Sequence, residues 1–331
     1  FARVSKGTTE MMLVAGYSGI GKSALVDEIH KPIVGLHGYF ISGKFDQFKR
    51  NIPYSSVIQA FQELMRQLLT ESGEKLENWK AKLLAALGKN GQVIIDVIPE
   101  LELIIGKQPD VPILGSTESQ NRFNLVFKQF IHVFTKKEHP LVVFLDDLQW
   151  ADAASLKLIQ LLMTDPDNQY LLLIGAYRDN EVSATHPLML ALNEINCIVE
   201  QNDQLTNQVI NTVNLKPLSL DSVKELVADT LHENSVFPRE QVVELAKLLL
   251  DKTGGNPFFL KQLIKSLYQE NLLSFNLRSR VWQWDIKQLK EMEITDNVIE
   301  LMSGKIKKLD RETQNVLKLA ACIGNRFDLN I

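Results

Sequence analysis

The sequence predicts an α/β chain, a parallel sheet flanked by helices and followed by a smaller helical region. Three observations carry this. Short, almost wholly apolar runs recur at strand length, at 11–15 (MMLVA), 141–145 (LVVFL) and 170–176 (YLLLIGA), the pattern of strands buried on both faces. Between them lie stretches with apolar residues at helical spacing, clearest in Phe123, Val126, Phe127, Phe130, Val133 and Phe134. After Pro217 the strand-like runs give way to helical periodicity. A chain of 331 residues with 45% apolar and 23% charged residues has ordinary globular composition and room for roughly two domains.

Taken in order, 11–15 is the first strand and ends in a glycine-rich turn. Ser23, Ala24, Leu25, Val26 and Ile29 suit a helix leaving that turn. A second strand is expected at 38–42 (GYFIS). Pro53 and Ser55 open a helix that carries Val57, Ile58, Phe61, Leu64 and Leu68 on one side. Residues 70–120 are mixed, with a helix over 79–87, then Gly88 and Gly91, then an apolar stretch broken by Pro99. The helix over 120–134 stops before Pro140. The strand at 141–145 runs into Asp146 and Asp147. A helix over 155–163 and the strand at 170–176 follow, and the alternation continues to about residue 215. Beyond it, Ser219 or Asp221 caps a helix reaching about 232. Others span 239–250 and 257–270. The alternation LSFNLRSRVWQWDI predicts a hairpin within 272–286, and further helices are expected near Asn297 and Thr313. The expected domains are 1–215, 216–290 and 291–331.

The net charge of −4, from 36 basic and 40 acidic residues, offers no global electrostatic reason to bind nucleic acid or an anionic membrane. Cys197 and Cys322 are far apart in apolar sequence and belong to no disulfide framework or zinc pattern, which fits a reducing, cytoplasmic compartment. No apolar run is long enough to span a bilayer, and no signal peptide is visible. The chain begins at Phe1 and stops at Ile331 within what looks like a structured segment, so it is expected to be a piece of something longer.

The chemistry concentrates in three places. Gly16-Tyr17-Ser18-Gly19-Ile20-Gly21-Lys22-Ser23 satisfies G-x-x-x-x-G-K-[ST]. Glycines let the backbone wrap closely around phosphate, and the following helix, through Ala24, offers its N-terminus to the anion. Lys22 would bridge the β- and γ-phosphates, and the Ser23 hydroxyl would ligate Mg²⁺. The bland alternative is a glycine-rich loop with an exposed lysine. Asp146 and Asp147 end a buried strand, where ligands of open α/β sheets bind. Asp146 would hold Mg²⁺ through water, and Asp147 would polarise an attacking water. Arg178 ends the next strand, where it could reach a γ-phosphate, or else pair with Asp179 or Glu181 as an ordinary surface arginine. Gly254-Gly255-Asn256-Pro257 is by itself only a turn with proline at a helix start. Trp150 suggests a packing anchor. Lys44, Lys49 and Arg50 suggest a solvated loop rather than a sensor. The six histidines are dispersed and read as structural.

GYSGIGKSALV, FLDDLQWAD, LLLIGAYRDNEV and GGNPFFL, in this order, resemble signalling ATPases of the STAND class, relatives of the AAA+ and origin-recognition ATPases. GKFDQFKRNIPYSS and KTGGNPFF are similar to the ATPase region of large bacterial signalling proteins. In those, a serine/threonine-kinase-like domain precedes the ATPase, and a GAF sensor and a histidine kinase follow it. The resemblance spans essentially the whole chain. It implies ATP with Mg²⁺ as ligands, a Walker A loop at 16–23 and Walker B acids at Asp146 and Asp147. It also implies a sensor arginine at Arg178, nucleotide contact from Pro257 in a helical lid, and the start of a winged-helix domain over 297–331. The function implied is a slowly hydrolysing regulatory switch with neighbouring kinase and sensor domains as partners and a nucleotide-dependent homo-oligomer as one outcome. The competing readings are a non-hydrolysing scaffold and a DNA-directed ATPase; the acidic balance disfavours the second.

Overall fold

The computed structural model describes residues 1–29, 33, 35, 38–202, 208–231, 239–276, 281–291, 303–304, 306–307 and 309–323. They fall into two compact units, Phe1–Tyr17 with Lys22–Leu215, and Ser18–Gly21 with Lys216–Ile331.

The first unit is built on five parallel strands: β1 (Thr9–Ala15), β2 (Tyr39–Lys44), β3 (Leu141–Asp146), β4 (Leu171–Tyr177) and β5 (Gln208–Asn214), in spatial order β2-β3-β4-β1-β5. Its helices are α1 (Lys22–Asp27), α2 (Ser55–Leu68), α3 (Gly73–Leu87), the short α4 (Gly91–Ile95) and α5 (Glu102–Ile105), α6 (Ser116–Phe134), α7 (Ala153–Met163) and α8 (Pro187–Gln201). The central strands are apolar throughout because alternate residues enter different cores. Met11, Leu13, Leu141, Val143, Leu145, Leu171 and Leu173 face the larger core. Val14, Val142, Phe144, Leu172, Ile174 and Ala176 face a smaller one with Val4, Val26 and Ile33. A sheet covered on both faces demands this. The larger core is aromatic: Phe61 of α2 meets Phe127 and Phe130 of α6 at centroid distances of 5.4 Å, the first edge-on.

Differences from the sequence reading are instructive. β2 runs on past GYFIS through Gly43 and Lys44, because both residues pair with β3. Gly43 is required there: a Cβ would collide with the backbone of Ser56, where α2 starts against the strand. β5, at the sheet edge beside β1, has the polar sequence QVINTVN, which carries no clear strand signal because its end, Thr212, Val213 and Asn214, is exposed. The strand expected at 170–176 starts at Leu171, since Tyr170 adopts a left-handed φ of 56°. Both cysteines, though set in apolar sequence, are free and exposed. On α8 the buried residues are Leu188, Leu192 and Ile195, and Cys197, two positions later, points away from that stripe.

The chain's entry into β1 is pinned by charge. Arg3 Nε and Nη2 donate to the two oxygens of Glu10 at 2.6 and 2.7 Å. The bond from Arg3 holds the Glu10 carboxyl below its ordinary range, against the opposing pull of burial. A carboxyl depressed in the folded state stabilises above its unfolded pKa and loses that contribution as pH falls through the folded value. Glu10→Gln is therefore expected to be less stable than the parent near neutrality. The deficit is about 1 kcal/mol, discounted because much of Arg3 lies in water. The gap should close on acidification below the ordinary carboxylate range. Melting curves at about pH 7 and about pH 3 check this, and an unchanged gap would refute it.

The second unit contains α9 (Leu220–Thr230), α10 (Arg239–Thr253), α11 (Pro257–Gln269), an antiparallel pair β6 (Leu273–Asn276) and β7 (Val281–Trp284), α12 (Ile286–Glu291) and α13 (Arg311–Ile323). Its core is Val223, Val227, Leu245, Leu249, Leu260, Leu263, Leu267, Leu273 and Leu289. Ser219 caps α9 by accepting from Ser222 N–H, and Asn256 caps α11 through Phe258 and Phe259 N–H. The helix expected near Asn297 lies outside the described residues, as do 324–331 of the segment expected to begin a winged-helix domain.

Candidate functional site

The loop 16–23 joins β1 to α1, where the sequence expects a phosphate loop. Gly16, Gly19 and Gly21 have φ of 151°, 78° and 101°, and the values at Gly19 and Gly21 lie in the region that disfavours side chains. Ile20 is buried, whereas Ser18, Ser23 and Ala24 are exposed. Lys22 is folded back: its Nζ donates to Gly16 O at 2.7 Å and Tyr17 O at 3.0 Å. Burial lowers the Lys22 pKa, with Asp146 and Asp147 pulling the other way.

The parallel register carries the carboxyl ends of β2, β3 and β4 to one edge. There Asp146 Oδ2 lies 3.5 Å from Ser23 Oγ, and Asp146 Oδ1 accepts the Asp147 N–H at 2.9 Å. Asp147, 4% exposed, takes a left-handed φ of 55°, which aspartate tolerates, as the chain turns into the single helical turn Leu148–Trp150. Gly175 of β4 makes room for that turn, because any Cβ would strike the Leu148 side chain.

Asp147 is held from three sides. Gln149 Nε2 donates to its Oδ1 at 2.9 Å, Arg178 Nε stands 3.5 Å from the same oxygen, and Lys44 Nζ is 2.9 Å from Oδ2. Lys44 also pairs with Asp146 Oδ2 at 3.2 Å. Burial disfavours the Lys44 charge, but the bonds and charges of the two carboxylates outweigh it and its pKa is raised. Arg178 uses Nη1 to bind Glu181 at 2.7 Å and lays its guanidinium over Trp150, 4.8 Å from the ring centroid.

The fold thus brings Lys22, Ser23, Asp146, Asp147 and Arg178 to one strand edge. Pro257, the first residue of α11, belongs to the second unit. Three further residues complete the site. Lys44 is no solvated loop residue but the last residue of β2, opposite Asp146 in register; the signal available was a strand two residues longer. Trp150 supports the arginine besides packing. Gln149, 2% exposed, links β3 to β4 by donating to Asp147 and accepting Arg178 N–H at 3.2 Å, a role with no sequence signature. A cavity of about 590 Å³ lies elsewhere, between α6 and α7, and contains none of these groups. Among the described residues no cluster of three or more histidine, cysteine, aspartate or glutamate residues could hold a metal ion, and no helix is long and apolar enough to cross a membrane.

The chain is similar to hybrid signal transduction histidine kinase G of Dictyostelium discoideum, 35% identical over 99% of this chain and 11% of that protein. It is also similar to peroxide stress-activated histidine kinase mak3 of Schizosaccharomyces pombe, 21% identical over 98% of this chain and 15% of that protein. It therefore spans a small fraction of the relatives it matches. A distant likeness in shape is found to the crystal structure of Cdc6p from Pyrobaculum aerophilum, with a TM-score of 0.41 and 11% identity over 80% of this chain and 57% of that one. The family model described as AAA ATPase domain matches residues 1–174, more than half of the chain, and its span takes in the glycine-rich loop, Asp146 and Asp147: the chain belongs to the AAA ATPase domain family.

Proposed function

We propose that this chain is an ATP-binding and slowly ATP-hydrolysing switch module of the STAND type within a larger signalling kinase. The observation that carries the reading is the meeting of Lys22 and Ser23, at the end of a positive-φ glycine loop, with Asp146 and Asp147 at the carboxyl end of β3 on the same edge of the sheet. The relatives support the setting, since both are histidine kinases many times longer than this segment. A serine/threonine-kinase-like neighbour and a GAF sensor belong to the same reading, as do the domain limits 1–215, 216–290 and 291–331.

The site's own groups suggest the roles. Lys22 exchanges the carbonyls of Gly16 and Tyr17 for β- and γ-phosphate oxygens, a better match for a buried ammonium. Ser23 Oγ and Asp146 Oδ2 are adjacent hard oxygen donors of the kind Mg²⁺ takes, and they would hold it as part of ATP·Mg²⁺. When bound, that ion supplies charge stabilisation to the transferring phosphoryl group. Asp147, kept in one orientation by Gln149, orients the attacking water and receives its proton. Arg178 stands beside Asp147 with its guanidinium over the Trp150 ring, from which it can turn toward new negative charge. Pro257 would contact the nucleotide as the family resemblance implies. ATP and ADP bias the module differently only through such groups, since equal contacts shift no equilibrium.

The test is titration of the chain with ATP and ADP in the presence of Mg²⁺, followed by phosphate release at saturating ATP. Saturable binding with slow release above the protein-free rate is expected. Absence of saturable binding would overturn the reading.

A further inference from the structure

Among the described residues Lys44 is the one cation paired with both strand-end acids. Its position is set by the sheet: its backbone lies opposite Asp146, and Gly43 lets α2 pack against the strand just before it. Its Nζ is 3.2 Å from Asp146 Oδ2 and 2.9 Å from Asp147 Oδ2. Asp146 Oδ2 is also the oxygen that faces Ser23 Oγ, while Asp146 Oδ1 is taken by the Asp147 N–H. The other oxygen of Asp147 accepts from Gln149 and faces Arg178, which in turn holds Glu181. Lys22, whose charge also acts on both acids, is bound to its own loop. A cation approaching the Ser23–Asp146 pair therefore meets an ammonium already seated on the oxygen it needs. The Lys44 side chain is 47% exposed, so it can leave that seat without disturbing the strand.

We propose that Lys44 is a built-in counter-ion that keeps free divalent cations off Ser23 and Asp146 until nucleotide phosphates arrive, so that the metal enters with the nucleotide and not ahead of it. The inference rests on the phosphate-loop reading above. Its physics is charge balance. A bare divalent ion brings only positive charge to two carboxylates that Lys44 already pairs with, Arg178 and Lys22 adding their charges nearby. A triphosphate brings several negative charges at once and offsets ammonium and metal together. Lys44 is thus a positioning residue, acting through Asp146 and Asp147.

The experiment follows Mn²⁺ binding to the nucleotide-free chain by the electron paramagnetic resonance signal of free Mn²⁺. Wild type should bind weakly. Lys44→Met, which removes the charge and keeps the length, should bind at least about ten-fold more tightly. Lys44→Arg should stay with wild type. Adding Asp146→Asn to Lys44→Met should abolish the gain, which locates it. With ATP present, the affinities of wild type and Lys44→Met should converge. Should the methionine variant melt early, Lys44→Gln repeats the measurement. Equal Mn²⁺ affinity of wild type and both neutral variants, or a gain that survives Asp146→Asn, overturns the proposal. Loss of the Mn²⁺ effect in a chain that binds ATP sinks the role of Lys44 alone, whereas failure to bind ATP sinks the nucleotide reading and the gating with it.

Discussion

Lys22→Ala should weaken ATP·Mg²⁺ binding by roughly 100-fold, equivalent to about 3 kcal/mol for lost charge-assisted bonds to phosphate. The expectation follows from the state of the ammonium in the nucleotide-free fold. Lys22 is 8% exposed and bound to two loop carbonyls, with burial working against its charge. Neutral carbonyls are poor compensation for a desolvated cation, and phosphate oxygens are far better. The variant also leaves Gly16 O and Tyr17 O without that donor, so the loop itself should loosen. A melting curve separates a general fold defect from a specific binding loss. Calorimetric or fluorescence titration reads the affinity. A folded Lys22→Ala chain that binds ATP·Mg²⁺ as wild type does would remove Lys22 from the phosphate site.

Asp147→Asn should lower ATP turnover by about 10²- to 10⁴-fold, the range of a general base, while ATP affinity changes only a few-fold. Asparagine is a fair probe here because it also tolerates the left-handed φ of 55° at this position and can still accept from Gln149. What it loses is the carboxylate charge facing Lys44 and Arg178, and the capacity to take a proton. Phosphate release at saturating ATP, beside equilibrium binding, distinguishes the competing readings. Unchanged turnover would exclude Asp147 from handling the water. Binding without turnover in either protein would favour a nucleotide-dependent scaffold over a hydrolysing switch.

Much of the fold was legible because burial writes itself into residue type. β3 and β4, like the MMLVA part of β1, feed two cores at once, so they had to be apolar at nearly every position. α6 needed Phe127, Phe130 and Phe134 on one stripe to reach Phe61, and that spacing is visible in the chain. β5 was hard to see for the opposite reason. An edge strand needs only hydrogen bonds on one side, and QVINTVN carries little else to mark it.

The glycine-rich loop and the two acids were legible as separate motifs because their chemistry allows few residue types. By itself, then, the sequence determined which strands are buried, where the glycine-rich loop falls, and which acids end a strand. Only the tertiary structure decided the company they keep. The β2–β3 register sets Lys44 against Asp146, Gly175 lets the Leu148 turn close so that Gln149 can grip Asp147, and Trp150 carries Arg178. Those contacts join residues of unremarkable type across separate strands. Their meaning comes from distance and charge in three dimensions, which no local pattern encodes.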